Sequence, residues 1–257
     1  MPPPDDAKSR VRDWFTRHAA AYTADASQRA GADLVRVLEL LAPSAHETAL
    51  DVATAAGHTA LAMARFAKSV VAVDLTPAMR EQFERNAEEA GLTNASFQVA
   101  DSEALPFPDA CFDLVTCRRA VHHFPDPARA AAELARVLRP GGRAGLVDMV
   151  APEDAAAARL FNDLERARDA SHVRALPASE FRRVFEAAGL RTVACELQPD
   201  RIPWVKWLSP ESPGGPADLT ARARLVAAPD HERCAVSDGG GDDLVFLKTR
   251  IVLVATR

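Results

Sequence analysis

Apolar and polar positions follow two different periods along this chain. Val11, Trp14, Phe15, His18 and Tyr22 recur at steps of three or four, which predicts a helix with one aromatic face. Leu34, Val37, Leu38 and Leu41 repeat that spacing, and the helix they predict ends near Pro43. From Thr48 onward strand-length apolar runs alternate with helical ones. Thr48–Ala53, Ser69–Leu75, Ala95–Ala100, Cys111–Cys117 and Arg143–Val150 read as strands. His58–Lys68, a segment from Pro77 to Gly91, and Pro127–Leu138 read as the helices between them, the last closed by Arg-Pro-Gly-Gly at 139–142. Such alternation predicts an α/β fold: a doubly wound sheet of about seven strands, mostly parallel, with helices on both faces.

Beyond Pro152 the order changes. Helical patterns cover Glu153–Ala170 and Ala178–Ala188, and Leu190–Leu197 reads as a strand. Pro199–Pro216 is rich in Pro, Trp, Ser and Gly and is expected to be a loop or cap. Leu244–Ala255 alternates and predicts a late strand, the one expected to run antiparallel.

Composition narrows the classes of partner. The chain has 257 residues, enough for one large domain with an insertion and a sizeable core. A net charge of -5 argues against a nucleic-acid polymer, whose phosphates want a basic face. The start, MPPPDDAKSR, has no apolar run of the kind a secretion signal needs, and no apolar run is long enough for a membrane span. Cys111, Cys117, Cys195 and Cys234 are scattered and form no paired motif, so reduced thiols in a cytoplasmic protein are expected, with no metal site.

Three places carry chemistry at the strand tips. LDVATAAGHTA, Leu50–Ala60, follows the first strand and leads into a helix whose free N–H groups attract polar ligand atoms. Only Gly57 occupies a glycine position there, with Ala53 and Ala55 in the other two. A plain turn fits this loop equally well. Asp74 ends the second strand, where a carboxylate can accept both hydroxyls of a ribose. Ala-Asp-Ser at 100–102 follows the third. Alone, each acid fits a strand end or a helix cap; together their order and spacing point to a nucleoside. The alanines oppose a pyrophosphate, and no P-loop motif is present.

DVATAAGHTALA, VVAVDLTPAM, VADSEALPFPDACFDLVTCRRAVHHFPDP and ARVLRPGGR resemble the class I S-adenosylmethionine-dependent methyltransferases, and most closely the methyltransferase type 11 group. That group includes the ubiquinone- and menaquinone-biosynthesis enzymes. The resemblance spans about Phe15 to Leu190 and implies a Rossmann-like domain at 46–257, N-terminal helices or a lid at 1–45, a substrate-covering insertion at about 152–178, and a loop at about 199–217. It implies S-adenosyl-L-methionine as cofactor. Asp51, Ala53, Thr54, Ala55 and Gly57 would cradle its methionine part, and Asp74 its ribose. Leu75 or Met79 would pack near the adenine, Asp101 would meet the adenine amino group, and Ser102 would lie beside it. Tyr22 would reach the sulfonium or carboxylate end. Ala55 departs from the family's glycine-rich pattern.

Methyl transfer from a sulfonium needs an aligned nucleophile and, where that nucleophile carries a proton, a base. His122 and His123 follow the fourth strand and are the base candidates, against the alternative of buried, hydrogen-bonded rings. Arg118 would hold the cofactor carboxylate or an anionic substrate, or form a salt bridge. Arg-Asp-Ala-Ser-His-Val-Arg at 168–174 offers a substrate clamp of Arg168, Asp169, His172 and Arg174, with Asp169 orienting His172; a helix-ending turn capped by Ser171 or Asp169 fits equally. Trp204 and Trp207 would shape an apolar pocket or sit in the core. The acceptor expected is a small molecule methylated at oxygen or carbon, the protein a monomer or homodimer. Two other readings use the same residues: a cofactor-binding enzyme that does not methylate, such as a natural-product cyclase, or a non-catalytic binding protein.

Overall fold

The computed structural model describes residues 4–24 and 29–257, save the side chains at 4–5, 20–24 and 242. Two helices come first, α1 (Pro4–Ala24) and α2 (Ala32–Leu41). Five β-strands and three helices then alternate: β1 (Thr48–Val52), α3 (His58–Ala64), β2 (Ser69–Asp74), α4 (Met79–Glu89), β3 (Ala95–Val99), β4 (Phe112–Arg118), α5 (Pro127–Val137) and β5 (Leu138–Val150). A single 3₁₀ turn, Val121–His123, follows β4. The remainder is α6 (Ala155–Arg168), α7 (Ala178–Ala187), β6 (Arg191–Pro203), α8 (Trp204–Leu208), α9 (Pro216–Ala227), α10 (Asp230–Val236), β7 (Ser237–Asp238) and β8 (Val245–Thr256).

The sheet runs β3-β2-β1-β4-β5-β8-β6, with the two-residue β7 beside β8. β3, β2, β1, β4 and β5 pair in parallel, and β8 lies antiparallel to β5, β6 and β7. The chain therefore forms the Rossmann-like sheet, with β8 the one strand reversed. Valine-rich parallel strands are buried on both faces, which is what two helical layers require. On one face Leu50, Val115, Leu146 and Leu253 meet Leu134 of α5 and Phe181 and Phe185 of α7. On the other, Ala49, Ala72, Leu114 and Val252 meet Val37, Leu41, Met63 and Phe83. Gly145 lets α2 lie directly on β5: a Cβ there would come within 2.6 Å of Leu41 Cδ1.

A third apolar cluster joins Phe161 and Leu164 of α6 to Trp204, Trp207, Leu225 and Phe246. It corrects the loop expected over Pro199–Pro216. β6 continues to Pro203, and the Trp-Val-Lys-Trp segment is the helix α8, with both tryptophans buried. Among the described residues β6 pairs only with β8, and an edge strand tolerates the missing N–H groups of Pro199 and Pro203. Among the described residues no helix is long and apolar enough to cross a membrane.

Candidate active site

The turn after β1 explains its own composition. Ala53 and Ala55 both sit in the left-handed region, at φ 54° and 47°, and Gly57 at 87°. An alanine there costs about 1–2 kcal/mol. Local bonds hold the turn: Thr54 N–H donates to Val73 O (3.0 Å), and Ala55 N–H donates to Asp74 Oδ2 (2.8 Å). At Gly57 a Cβ would lie 2.3 Å from Phe83 Cδ2, so glycine persists where a methyl has no room.

The strand tips then present carboxylates to one cleft. Asp51 is buried; its Oδ1 accepts from Thr116 Oγ1 and its Oδ2 from Thr54 Oγ1, each at 2.6 Å. Burial outweighs these bonds and pushes its carboxyl up to about 6. Thr116 reaches Asp51 because β1 and β4 pair in that register. Burial also raises Asp74, whose Oδ1 accepts from Thr76 N–H at 2.8 Å. Asp101 accepts Lys8 Nζ from α1 at 2.7 Å, and Lys8 reaches Glu103 Oε2 at 2.6 Å. Burial alone would lower the Lys8 ammonium, but bonds to Asp101 and Glu103 hold it above its usual value.

The cleft holds about 1020 Å³ of space, part of it open to solvent. Asp51, Ala53, Thr54, Ala55, Asp74, Leu75, Asp101, Ser102 and Arg118 line it, as do Lys8, Val11, Phe15, His123, Phe124 and Pro125. Gly57 and Met79 do not line it: Gly57 faces Phe83, and Met79 is fully buried in the core. Tyr22 lies in α1, its side chain outside the described residues. Arg118 and Arg119 converge on Asp33 of α2 (Arg119 Nε to Oδ2 2.7 Å, Arg118 Nη2 to Oδ1 3.4 Å). Burial, then the neighbouring Arg119, pushes Arg118 down to about 10.

The two histidines part company. His122 is turned to the sheet: its ring Nδ1 lies 2.6 Å from Asp148 Oδ1, and its backbone N–H donates to Asp148 Oδ2 at 3.0 Å. His123 lines the cleft, edge-on to Phe15 with ring centroids 5.1 Å apart. Its Nδ1 lies 3.1 Å from Ser171 O and 3.1 Å from Ser171 Oγ. A carbonyl only accepts, so Nδ1 carries the proton and Nε2 the lone pair. Burial, then His122, lowers the His123 pKa and keeps the ring neutral.

The 168–174 segment is not a clamp on the cleft. Arg168 bonds Glu165 (Nη2 to Oε2 2.6 Å) and lies over Trp207, while Arg174 pairs with Glu180 at the surface. Asp169 does not orient the His172 ring. Its Oδ1 accepts Ser171 N–H (2.8 Å) and Ser171 Oγ–H, and the His172 Nε2 instead meets Asn162 Oδ1 at 2.8 Å. Trp204 donates to Asp218 at 2.7 Å, away from the cleft lining. Thr116, Lys8, Glu103 and Asp148 escaped the sequence reading. Asp148 alone had a local signal, a charge inside the apolar run GLVDMV. Among the described residues no cluster of three or more His, Cys, Asp or Glu is arranged to hold a metal ion.

A Rossmann-like sheet with acids on three successive strand tips and a left-handed turn after the first is the frame of a nucleoside-cofactor enzyme. A family model described as a methyltransferase domain matches residues 50–146. The uncharacterized methyltransferase YcgJ of Bacillus subtilis is 38% identical over 244 residues, 93% of this chain and 96% of that one. The crystal structure of the methyltransferase-like BH2331 from Bacillus halodurans superposes with a TM-score of 0.82 at 31% identity, covering 88% of this chain and 99% of that one. A demethylmenaquinone methyltransferase of Thermus thermophilus is 40% identical over 127 residues, 48% of this chain and 57% of that protein. The chain belongs to the class I S-adenosylmethionine-dependent methyltransferases, in the type 11 group.

Proposed function

We propose that this enzyme methylates a small-molecule acceptor at oxygen or carbon, with His123 as the base. The observation that carries the reading is one cleft lined both by the carboxylates of Asp51, Asp74 and Asp101 and by a neutral imidazole. The residues fit S-adenosylmethionine. Asp74 keeps lone pairs for ribose hydroxyls while one oxygen holds Ala55 N–H. On this reading Asp101 and Ser102 would meet the adenine amino group, and Asp51 a cationic group of the cofactor. Carboxylates at three strand tips suit a cofactor with hydroxyl and amino groups to bond and a positive charge to meet.

Bound there, S-adenosylmethionine supplies an electrophilic methyl on a sulfonium, which becomes a neutral thioether once the acceptor has taken the methyl. The rest falls to the protein. Val11, Phe15, Phe124 and Pro125 give the cleft apolar walls that exclude water and suit a flat or aliphatic acceptor. His123 takes the acceptor's proton at Nε2. A demethylmenaquinone methyltransferase among the relatives supports a small, apolar acceptor.

Calorimetric titration of S-adenosylmethionine and of S-adenosylhomocysteine into the full chain tests the cofactor. Micromolar binding, about 8 kcal/mol, is expected. A folded sample that binds neither would overturn the reading. A panel of phenols, quinols and alcohols, scored by S-adenosylhomocysteine release, tests the acceptor; a substrate consumed without that release would favour cyclase chemistry.

A further inference from the structure

We propose that Asp169 and Ser171 are positioning residues: they clamp His123 with its proton on Nδ1, so that the Nε2 lone pair is left for an acceptor that has a hydroxyl proton to lose. The inference rests on the base role given to His123 above and assigns a role to the 168–174 segment, which the cofactor leaves unused.

The construction is specific. The segment docks on the 3₁₀ turn through Val173 and Arg174 N–H, which donate to His122 O at 2.9 and 3.0 Å. The docking brings Ser171 O and Oγ to His123 Nδ1, each at 3.1 Å. Ser171 is in turn fixed at both ends, its N–H and its Oγ–H given to Asp169 Oδ1. Asp169 and Ser171 are each 2% exposed, so water does not compete for these bonds. Neighbouring rings have side-chain partners of their own: His122, 4.0 Å from His123 between centroids, bonds Asp148, and His172 bonds Asn162, whose Oδ1 also accepts Ala175 N–H at 2.7 Å.

A free imidazole distributes its proton between both nitrogens; bonding one of them to a fixed carbonyl removes that choice. The consequence is a substrate class. The acceptor hydroxyl's proton passes to Nε2, its oxygen or the conjugated carbon takes the methyl, and the imidazolium so formed faces the Asp169 carboxylate across Ser171 until it returns the proton to solvent. Phenols, enols and alcohols gain from such a base, whereas an acceptor with no proton to lose at the methylated atom does not.

Nitrogen-15 NMR of the imidazoles, recorded on the full chain without cofactor, tests the clamp separately from methyl transfer. His123 is expected wholly as the Nδ1–H tautomer. Asp169→Ala should move a readily measured fraction of the ring to Nε2–H. Asp169→Asn, which keeps an oxygen for Ser171 N–H, should restore the native tautomer. His122 and His172 should stay as they are in every variant. A wild-type His123 protonated on Nε2, an Asp169→Ala protein with His123 unchanged, or a change in all three rings together would each overturn the assignment. With a hydroxyl acceptor in hand, Asp169→Ala should lower kcat about tenfold at unchanged acceptor KM. A clamp that behaves as described in a protein that forms no S-adenosylhomocysteine would sink the methyltransferase reading and leave the clamp standing.

Discussion

The carboxylate wall and the histidine wall of the cleft meet burial with opposite consequences. Both are driven toward neutrality: burial raises Asp51 and Asp74 and lowers His123. For the base proposed at His123 the neutral form is the one that takes a proton, while the same lowering makes the ring a weaker base. For a carboxylate proposed to meet a cation it is the wrong form, and burial keeps Asp51 raised even with Arg118 nearby. Both walls draw on distant partners: Asp74 accepts Ala55 N–H from the turn after β1, Asp51 accepts from Thr116 of β4, and His123 depends on Ser171 beyond α6.

The contrast breaks most severely at His123. His123→Ala should lower kcat about a hundredfold to ten-thousandfold with a hydroxyl acceptor, while cofactor affinity measured by calorimetry changes less than about threefold. An equal loss in both would mean that the two walls are not separable.

Gly57→Ala probes the carboxylate wall through its backbone. The new methyl meets Phe83 at a left-handed φ of 87°. A loss of about 2–4 kcal/mol in urea unfolding is expected, from strain and overpacking together.

Asp51→Asn sharpens the comparison in the other direction. The folded pKa of about 6 lies above the ordinary 3.8, so the unfolded chain ionises first as pH rises. Stability from this group is full below about pH 4 and falls by up to about 3 kcal/mol by pH 7. The asparagine should remove that slope and unfold later than the wild type at pH 7, yet bind S-adenosylmethionine more weakly. Unfolding midpoints at pH 4.5 and 7.5 check the sign; a variant less stable at pH 7.5 would show that the Thr54 and Thr116 bonds outweigh burial.

The same contrast governs what could be read from the chain. Asp51, Asp74 and Asp101 each follow an apolar run, so strand pattern and position announce them. The order of elements through β5 is legible for the same reason. The histidine wall is not: nothing local at His123 points to Ser171, and Asp169 was paired with the wrong histidine because sequence nearness favours His172. Thr116 shares that fate, since a parallel register sets its meeting with Asp51. The Pro199–Pro216 reading failed on another count. Prolines usually break strands, but β6 is an edge with no outer neighbour to miss their N–H groups. α9 gave little signal, burying only Asp218, Ala221 and Leu225.

The smallest effect is expected where the sequence looked most aberrant. Ala55 stands in a glycine position at φ 47°, and its strain of about 1–2 kcal/mol is relieved by Ala55→Gly. The unfolded chain gains freedom from the same change, which offsets about 0.4–1 kcal/mol. The net should be a stabilisation below about 1.6 kcal/mol, read as a small rise in Tm. Binding should shift just as little, because Ala55 N–H already donates to Asp74 and glycine keeps that donor. A tenfold gain in affinity for S-adenosylmethionine would mean that the Ala55 methyl obstructs the ligand. No gain would mean that the turn needs its left-handed backbone and its bond to Asp74, and that glycine is required only at Gly57, where Phe83 leaves no room for a side chain.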